Sequence, residues 1–196
     1  MADKKFKKRG STASLVAMLL ILIALVVAII MWPTETTASS ARIDLMQDDL
    51  AETTLINAGD KAPDFAVEML DGSKVTLSDL QGKPVLLIFW ATWCPPCRAE
   101  LAHLQEGVID HFGDKITVLP ISRGEKREVV EAFLNKMGYT FRVGLDGDQK
   151  IYKKYATNYI PRCWVIDAKG KVAYAGVGYD DEIAKEVNEA ITKLLK

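Results

Sequence analysis

The sequence predicts an α/β domain in which helices flank a mixed β-sheet, preceded by a single membrane-spanning helix and a tether. Three observations predict this class: an apolar run near the N-terminus, a fully apolar strand followed by helical periodicity, and a late pair of strands joined by a short turn. The chain has 196 residues. That length suits one domain of about 140 residues with appendages.

The first element is an unbroken run of 18 apolar residues, Leu15–Trp32. As a helix of about 27 Å it is long enough to cross a hydrocarbon core. Basic residues lie before this run, and the next one after it is Arg42. The positive-inside rule therefore predicts residues 1–14 in the cytoplasm and the domain outside, in the periplasm if the cell has one. A cleaved signal peptide with a small-residue site at Ser39–Ala41 is the alternative, and it also exports the domain.

Charge is unevenly distributed along the chain. Residues 1–14 carry a net charge of +4, whereas the whole chain carries −1, so the remainder carries −5. Because a nucleic-acid partner requires a basic face, none is expected here. Residues 33–57 are rich in Thr, Ser, Ala and acidic residues, which predicts a flexible tether before a domain over 58–196.

The domain begins with a predicted β-hairpin over residues 65–77, in which apolar residues alternate around an Asp71-Gly72 turn. Val85–Trp90 is continuously apolar, as in a strand that is buried on both faces of a parallel sheet. The helix that follows has a buried stripe formed by Leu101, Leu104, Val108 and Phe112.

The second half of the domain continues the α/β order. Ile116–Ile121 is a predicted strand, and its Pro120 favours a position at the sheet edge because proline cannot donate a ladder hydrogen bond. The remaining predicted elements are a helix ending at Gly138, a short helix around Lys150–Tyr155, a hairpin of Trp164–Ile166 and Val172–Ala175, and a final helix with Ile183, Val187, Ile191 and Leu194 inward.

Cys94 and Cys97 lie where the buried strand turns into the first helix of the domain. The apolar stripe, extended back by one turn, places Cys97 inward and leaves Cys94 at the N-terminus of the helix. There, free amide groups and the helix dipole stabilise a thiolate. An exposed thiolate that attacks a disulfide and a shielded partner that resolves it are what thiol–disulfide exchange requires. A zinc site is the alternative, but it needs two further ligands, and His103 and His111 follow on the same helix. No metal site is predicted.

Phe89–Glu100 reads Phe-Trp-Ala-Thr-Trp-Cys-Pro-Pro-Cys-Arg-Ala-Glu, and Gly59–Phe65 reads Gly-Asp-Lys-Ala-Pro-Asp-Phe. Together they resemble thioredoxin-like reductases of the TlpA/ResA type, and the resemblance covers about residues 58–196. It implies a thioredoxin fold, with a four-stranded mixed sheet and an N-terminal β-hairpin. It also implies a redox-active disulfide between Cys94 and Cys97, and a cis-proline that Ile160-Pro161 matches.

The resemblance also implies the surroundings of the reaction. Trp93, Pro95, Ile160 and Pro161 are expected to contact the client. No cofactor is expected, because the dithiol carries both electrons. A transmembrane thiol reductase is the expected electron donor, and disulfide-bearing exported proteins, apocytochromes c among them, are the expected clients.

Three residues depart from the pattern of thioredoxin itself. Ile88 stands where thioredoxin has a buried acid, and Glu100 replaces it as a proton relay to Cys97 or is a solvated surface residue. Cys163 faces inward by strand alternation, as an inert core thiol or as a reactive one. Arg162 raises the positive potential near Cys94 or is solvated.

Two other functions use related sequences. A thiol peroxidase of the peroxiredoxin type needs a threonine three residues before its reactive cysteine, where this chain has Ala91. A copper-binding assembly factor needs a third ligand, and no histidine is expected near Pro161.

Overall fold

The computed structural model describes residues 12–31 and 48–196. The start of the predicted basic segment, Trp32 and the predicted tether up to residue 47 lie outside the described residues. The chain divides into two units, Met1–Gln47 and Asp48–Lys196. In the first unit, helix α1 spans Thr12–Met31. Within the described residues, no helix meets the combined length and apolarity of a membrane span.

Seven strands form one sheet in the second unit. In chain order they are β1 Ala66–Met69, β2 Lys74–Thr76, β3 Val85–Trp90, β4 Thr117–Arg123, β5 Gly144–Asp146, β6 Arg162–Ile166 and β7 Val172–Val177. Their spatial order is β2-β1-β5-β4-β3-β6-β7. Strand β3 runs parallel to β4 and antiparallel to β6. The predicted mixed sheet and N-terminal hairpin are therefore confirmed, but the sheet has seven strands rather than the four predicted, because β1, β2 and β5 also belong to it.

Three helices cover the sheet: α2 Pro95–Leu104, α3 Arg127–Met137 and α4 Asp181–Leu194. Helix α2 continues through a π-helical turn over Gln105–Ile109 and a last turn over Asp110–Phe112. Strand β3 is buried on both faces, because its alternate residues belong to two separate apolar clusters. Helix α2, which follows this strand and contains Cys97, therefore starts from the interior of the domain.

The predicted edge position of the strand with Pro120 is wrong. Strand β4 lies between β3 and β5. Proline is tolerated there because β5 pairs with β4 only from Ile121 onward, so Pro120 lies outside that short ladder. The sequence did not predict β5, which also pairs with β1 and joins the N-terminal hairpin to the rest of the sheet.

Gly144 begins β5, and two side chains pack closely against its backbone. A Cβ atom at this residue would lie 2.8 Å from Val67 Cγ2 and 3.2 Å from Ile121 Cγ1. We therefore expect Gly144→Ala to destabilise the domain by about 1–3 kcal/mol through overpacking, measured by urea denaturation. In a Val67→Ala background the same substitution should cost less. An equal cost in both backgrounds would contradict the assigned contact.

Residues 48–57 belong to the second unit and pack against the rest of it, although the sequence placed them in the tether. They are helical over 48–52. Thr54 then forms an antiparallel bridge with Ala156, and the Leu55 amide donates to the Tyr155 carbonyl at 3.0 Å. The Trp164 indole donates to the Ile56 carbonyl. These residues acquire backbone partners that lie about a hundred positions away in sequence, and local composition does not reveal such partners.

Candidate functional site

The two cysteines lie just beyond the carboxyl end of β3, the strand that is buried on both faces. After Trp90 the chain turns, and the Cys94 amide donates to the Ala91 carbonyl at 3.2 Å. Cys94 is the N-cap of α2, and it forms a disulfide with Cys97. The sheet thus holds the pair where a parallel strand passes into a helix, which is a common position for binding and catalytic sites in α/β folds.

One first-turn amide reaches the Cys94 sulfur. The Cys97 amide donates to Cys94 Sγ at 3.3 Å. Pro95 and Pro96 occupy the two positions between them, and proline has no N–H to offer. The N-terminus of α2 therefore donates fewer hydrogen bonds to an anion at Cys94 than the N-terminus of a helix without these prolines would donate.

Cys94 is less accessible than expected. In the disulfide form it is 3% exposed and Cys97 is 0% exposed. The expected exposed Cys94 is therefore wrong for this form. The loop before β6 accounts for the difference, since the Ile160 carbonyl oxygen lies 3.6 Å from Cys94 Sγ. Trp93, beside it, is 65% exposed, and both prolines are also exposed.

The loop opposite the disulfide contains a cis peptide bond between Ile160 and Pro161, as predicted. Pro161 is buried, Ile160 is half-buried and Tyr159 is exposed. The Tyr152 hydroxyl donates to the carbonyl oxygens of Asn158 and Tyr159 from inside the domain. The structure thus brings together the predicted client contacts Ile160 and Pro161 with the cysteine pair.

Glu100 is buried rather than solvated, so its predicted surface alternative is wrong. It is 7% exposed, and its Oε2 atom has no hydrogen-bond partner among the described residues. The residues around it are mainly apolar, including Leu86, Ile88, Leu104, Val108 and Val187. Burial raises the pKa of Glu100 from 4.5 to about 8. A carboxyl group with this pKa, one helical turn from Cys97, can hold or release a proton near neutral pH.

Cys163 faces the same apolar cluster as Glu100, and strand β6 places it opposite Ile88. It is a free thiol and 1% exposed. Burial, and then the nearby Glu100 carboxyl, raise the pKa of the Cys163 thiol. Since the thiolate is the reactive species, this environment matches the expected inert thiol.

These environments predict the order in which the reduced protein is alkylated. We expect iodoacetamide to modify Cys94 first, Cys97 more slowly, and Cys163 only after unfolding, as followed by peptide mass spectrometry. In concentrated guanidinium chloride all three should react at similar rates. Modification of Cys163 before Cys94 in the folded protein would contradict its assignment as an inert thiol.

Arg162 is also buried, so the prediction that it is solvated is wrong. It is 0% exposed. It precedes Cys163 in β6, and neighbouring residues of a strand point to opposite faces. Its guanidinium therefore turns away from the Cys94 side of the sheet, toward Thr53 and Thr54.

Glu125, which lies in the loop after β4, belongs to the site although no sequence motif indicated it. Its carboxylate accepts hydrogen bonds from the Thr92 amide at 2.9 Å, from the Thr92 hydroxyl and from the Ser122 hydroxyl. It thereby fixes the turn that leads into Cys94. Glu125 follows the carboxyl end of β4, which runs parallel to β3. Loops of α/β folds converge at this end of the sheet, so this position could have indicated a role in the site.

Metal ligands are not gathered at this site. Among residues 12–31 and 48–196, no group of three or more His, Cys, Asp or Glu side chains is placed to hold a metal ion. Ala91, at the position where a peroxidase of the peroxiredoxin type has threonine, carries no hydroxyl. The groups present are a cysteine pair, a buried carboxyl and a loop that covers one sulfur, which together suit exchange between thiols and disulfides.

Comparison with known proteins points the same way. Residues 58–175 match the AhpC/TSA family. The thiol-disulfide oxidoreductase ResA of Bacillus thuringiensis (strain Al Hakam) is 34% identical over 149 residues, which cover 76% of this chain and 84% of that protein.

Two solved structures have a similar fold. A provisionally assigned protein disulfide isomerase from Bacteroides thetaiotaomicron has a TM-score of 0.68 and 34% identity, covering 73% of this chain and 92% of the other. A provisionally assigned thiol:disulfide interchange protein DsbE from Chlorobium tepidum has a TM-score of 0.66 and 30% identity, covering 72% and 99%.

Proposed function

Since the chain belongs to the AhpC/TSA family and, within it, to the ResA-type thiol-disulfide oxidoreductases, we propose that it reduces disulfide bonds of exported proteins. The observation that carries the proposal is the Cys94–Cys97 disulfide at the N-terminus of α2, beneath the Ile160-Pro161 loop. The reduced Cys94 thiolate attacks a client disulfide. Cys97 then attacks the resulting mixed disulfide, releasing the reduced client and restoring the Cys94–Cys97 disulfide.

Glu100 is the proton-exchanging group in this proposal. Cys97 must lose a proton before it can attack the mixed disulfide. Glu100 lies one helical turn away and contacts the apolar cluster to which Cys97 belongs. Its raised pKa, about 8, allows it to take that proton and later return it. Trp93 and Pro95, both exposed beside Cys94, and the loop residues Ile160 and Pro161 would contact the client.

The direction of the reaction follows from the prolines. Because the Cys97 amide is the first-turn donor to Cys94, the thiolate is weakly stabilised and its disulfide is hard to reduce. We therefore expect a reduction potential nearer about −270 mV, as in thioredoxin, than about −120 mV, as in DsbA. Equilibration of the protein in glutathione buffers measures it. A potential above about −180 mV would make the protein a disulfide donor and would overturn the reductase assignment.

The proposed location is the cytoplasmic membrane, with the thioredoxin-like domain outside. Support comes from the apolar run Leu15–Trp32, which is apolar on every helical face, and from the +4 charge before it. A transmembrane thiol reductase would supply electrons there, and exported proteins with disulfides, apocytochromes c among them, would be clients. Protease added to intact spheroplasts should remove the domain. A fully protected domain would overturn this location.

A further inference from the structure

Arg162 joins two parts of the domain that are distant in sequence. Its Nε donates to the Asn158 carbonyl at 2.8 Å. Its Nη1 and Nη2 donate to the hydroxyl oxygens of Thr54 and Thr53, both at 2.6 Å. One buried guanidinium thus holds the loop that follows residue 157 and the segment that precedes the domain's first strand. Arginine suits this role because its planar fork fixes several acceptors at once.

The two threonines are oriented to accept these hydrogen bonds. The Thr53 hydroxyl donates to the Asp49 carbonyl at 2.9 Å, and the Thr54 hydroxyl donates to the Leu50 carbonyl at 2.7 Å. Since each hydroxyl hydrogen is used within the segment, a lone pair of each oxygen is left for Arg162. The end of the short helix over 48–52 and the guanidinium therefore form one hydrogen-bonded unit.

The segment also pairs directly with the chain that leads into the loop. The Thr157 amide donates to the Thr53 carbonyl at 3.0 Å, and the Leu55 amide donates to the Tyr155 carbonyl at 3.0 Å. The Tyr159 hydroxyl donates to the Asp49 carboxylate. Residues 49–55 are therefore attached to residues 155–159 by both backbone and side chains.

The far end of this loop reaches the reacting sulfur. Ile160 directly follows Tyr159, and its carbonyl oxygen is the atom 3.6 Å from Cys94 Sγ. The loop is thus fixed by Arg162 and the 49–55 segment on one side, and it covers Cys94 on the other. A client that enters beside Cys94 must contact a surface whose position depends on these bonds.

We propose that Arg162, Thr53 and Thr54 are positioning residues that hold the 158–161 loop in the shape that docks disulfide-bearing protein clients. The inference rests on the proposed function, because it assumes that clients bind at this loop. It assigns residues 49–55, which precede the thioredoxin-like region, a role in client binding. Small disulfides, which need little contact with the loop, should not depend on them.

The test compares Thr53→Val/Thr54→Val, which removes both acceptors and keeps the side-chain shape, with Thr53→Ser/Thr54→Ser, which keeps both hydroxyls. Full-length protein is reduced and mixed with increasing insulin, and its oxidation is followed by tryptophan fluorescence. We expect the valine variant to need about tenfold more insulin for half-saturation, with an unchanged maximal rate. Its rate with oxidised glutathione and its reduction potential should equal those of the unchanged protein. The serine variant should behave as the unchanged protein does.

A valine variant that saturates like the unchanged protein would overturn the inference. So would an equal loss of rate with insulin and with oxidised glutathione, since that would place the effect in the cysteines. If the valine variant does not fold, Asp49→Ala, at an exposed residue, should raise the half-saturation concentration in the same direction by about threefold. An unchanged protein that fails to react with insulin would overturn the proposed function itself, and the inference with it.

Discussion

Replacing Cys97 with serine is expected to turn the protein into a trap for its clients. Cys94 can still attack a disulfide, but the serine hydroxyl cannot resolve the mixed disulfide that forms. Turnover with a protein disulfide should fall on the order of 10³-fold or more. Clients should remain attached through Cys94, and non-reducing electrophoresis with mass spectrometry of the conjugates would measure this and identify them.

Cys94→Ser is the matched control for this experiment. Cys97 has no exposed surface and lies within the apolar cluster beneath the helix, so it cannot reach a client. We therefore expect the control variant to lose turnover equally but to capture no clients. Cys163→Ala should keep turnover, because both redox-active cysteines remain. Equal capture by Cys94→Ser and Cys97→Ser would contradict the roles assigned to the two cysteines.

Replacing Glu100 with glutamine is expected to slow exchange by about 100-fold. The amide keeps the shape of the side chain but cannot take a proton from Cys97. In the unchanged protein, part of the rise in rate with pH should follow the loss of the Glu100 proton near pH 8. The variant should lack that part and keep the part that comes from ionisation of Cys94. Stopped-flow oxidation by insulin from about pH 6 to about pH 10, a range that brackets the Glu100 pKa, measures both effects. Glu106→Gln, on the exposed side of the same helix, is the control and should change neither.

The same substitution should change the pH dependence of stability. Between pH 4.5 and about 8, folded protein keeps a proton on Glu100 that the unfolded chain has released. Stability therefore falls as pH rises through this window, and the loss is complete above the folded pKa. Glu100→Gln lacks this dependence, so its stability relative to the unchanged protein should rise across the window by on the order of 1–4 kcal/mol. If Glu100→Gln changed the denaturation midpoint by the same amount at pH 5 and at pH 9, Glu100 could not be a buried group that titrates in this window.

Much of the fold could be predicted because its elements are encoded locally. Val85–Trp90 is a continuous apolar run, and the stripe through Leu101 and Leu104 has helical period, so both elements and their burial follow from pattern alone. Strand β5 could not be found in this way. It has three residues, begins with glycine and exists only because β1 and β4 lie on either side of it.

The candidate site was predictable to a similar depth. The cysteine pair and Ile160-Pro161 have recognisable local sequences, and the prediction that Cys97 points inward needed only helical spacing. Burial of Arg162 and the contact of Glu125 with Thr92 depend on partners 108 and 33 positions away. The covering of Cys94 by the Ile160 carbonyl likewise depends on a distant loop. Charged side chains are exposed in most proteins, so only the tertiary structure reveals such exceptions.

The alternation of side chains along β6 has a consequence for which length changes the domain tolerates. Arg162 points to one face of the sheet and Cys163 to the other, so parity alone decides which of them meets Glu100. If an extra residue between Asn158 and Pro161 shifted β6 by one position, the two faces would be exchanged and a guanidinium would be pressed into the apolar cluster. An extra residue in the Lys169-Gly170 turn, after the strand has ended, leaves both faces unchanged. We therefore expect natural relatives to differ in length after β6 and to keep one length before it. Engineered insertions should be tolerated after β6 and not before it.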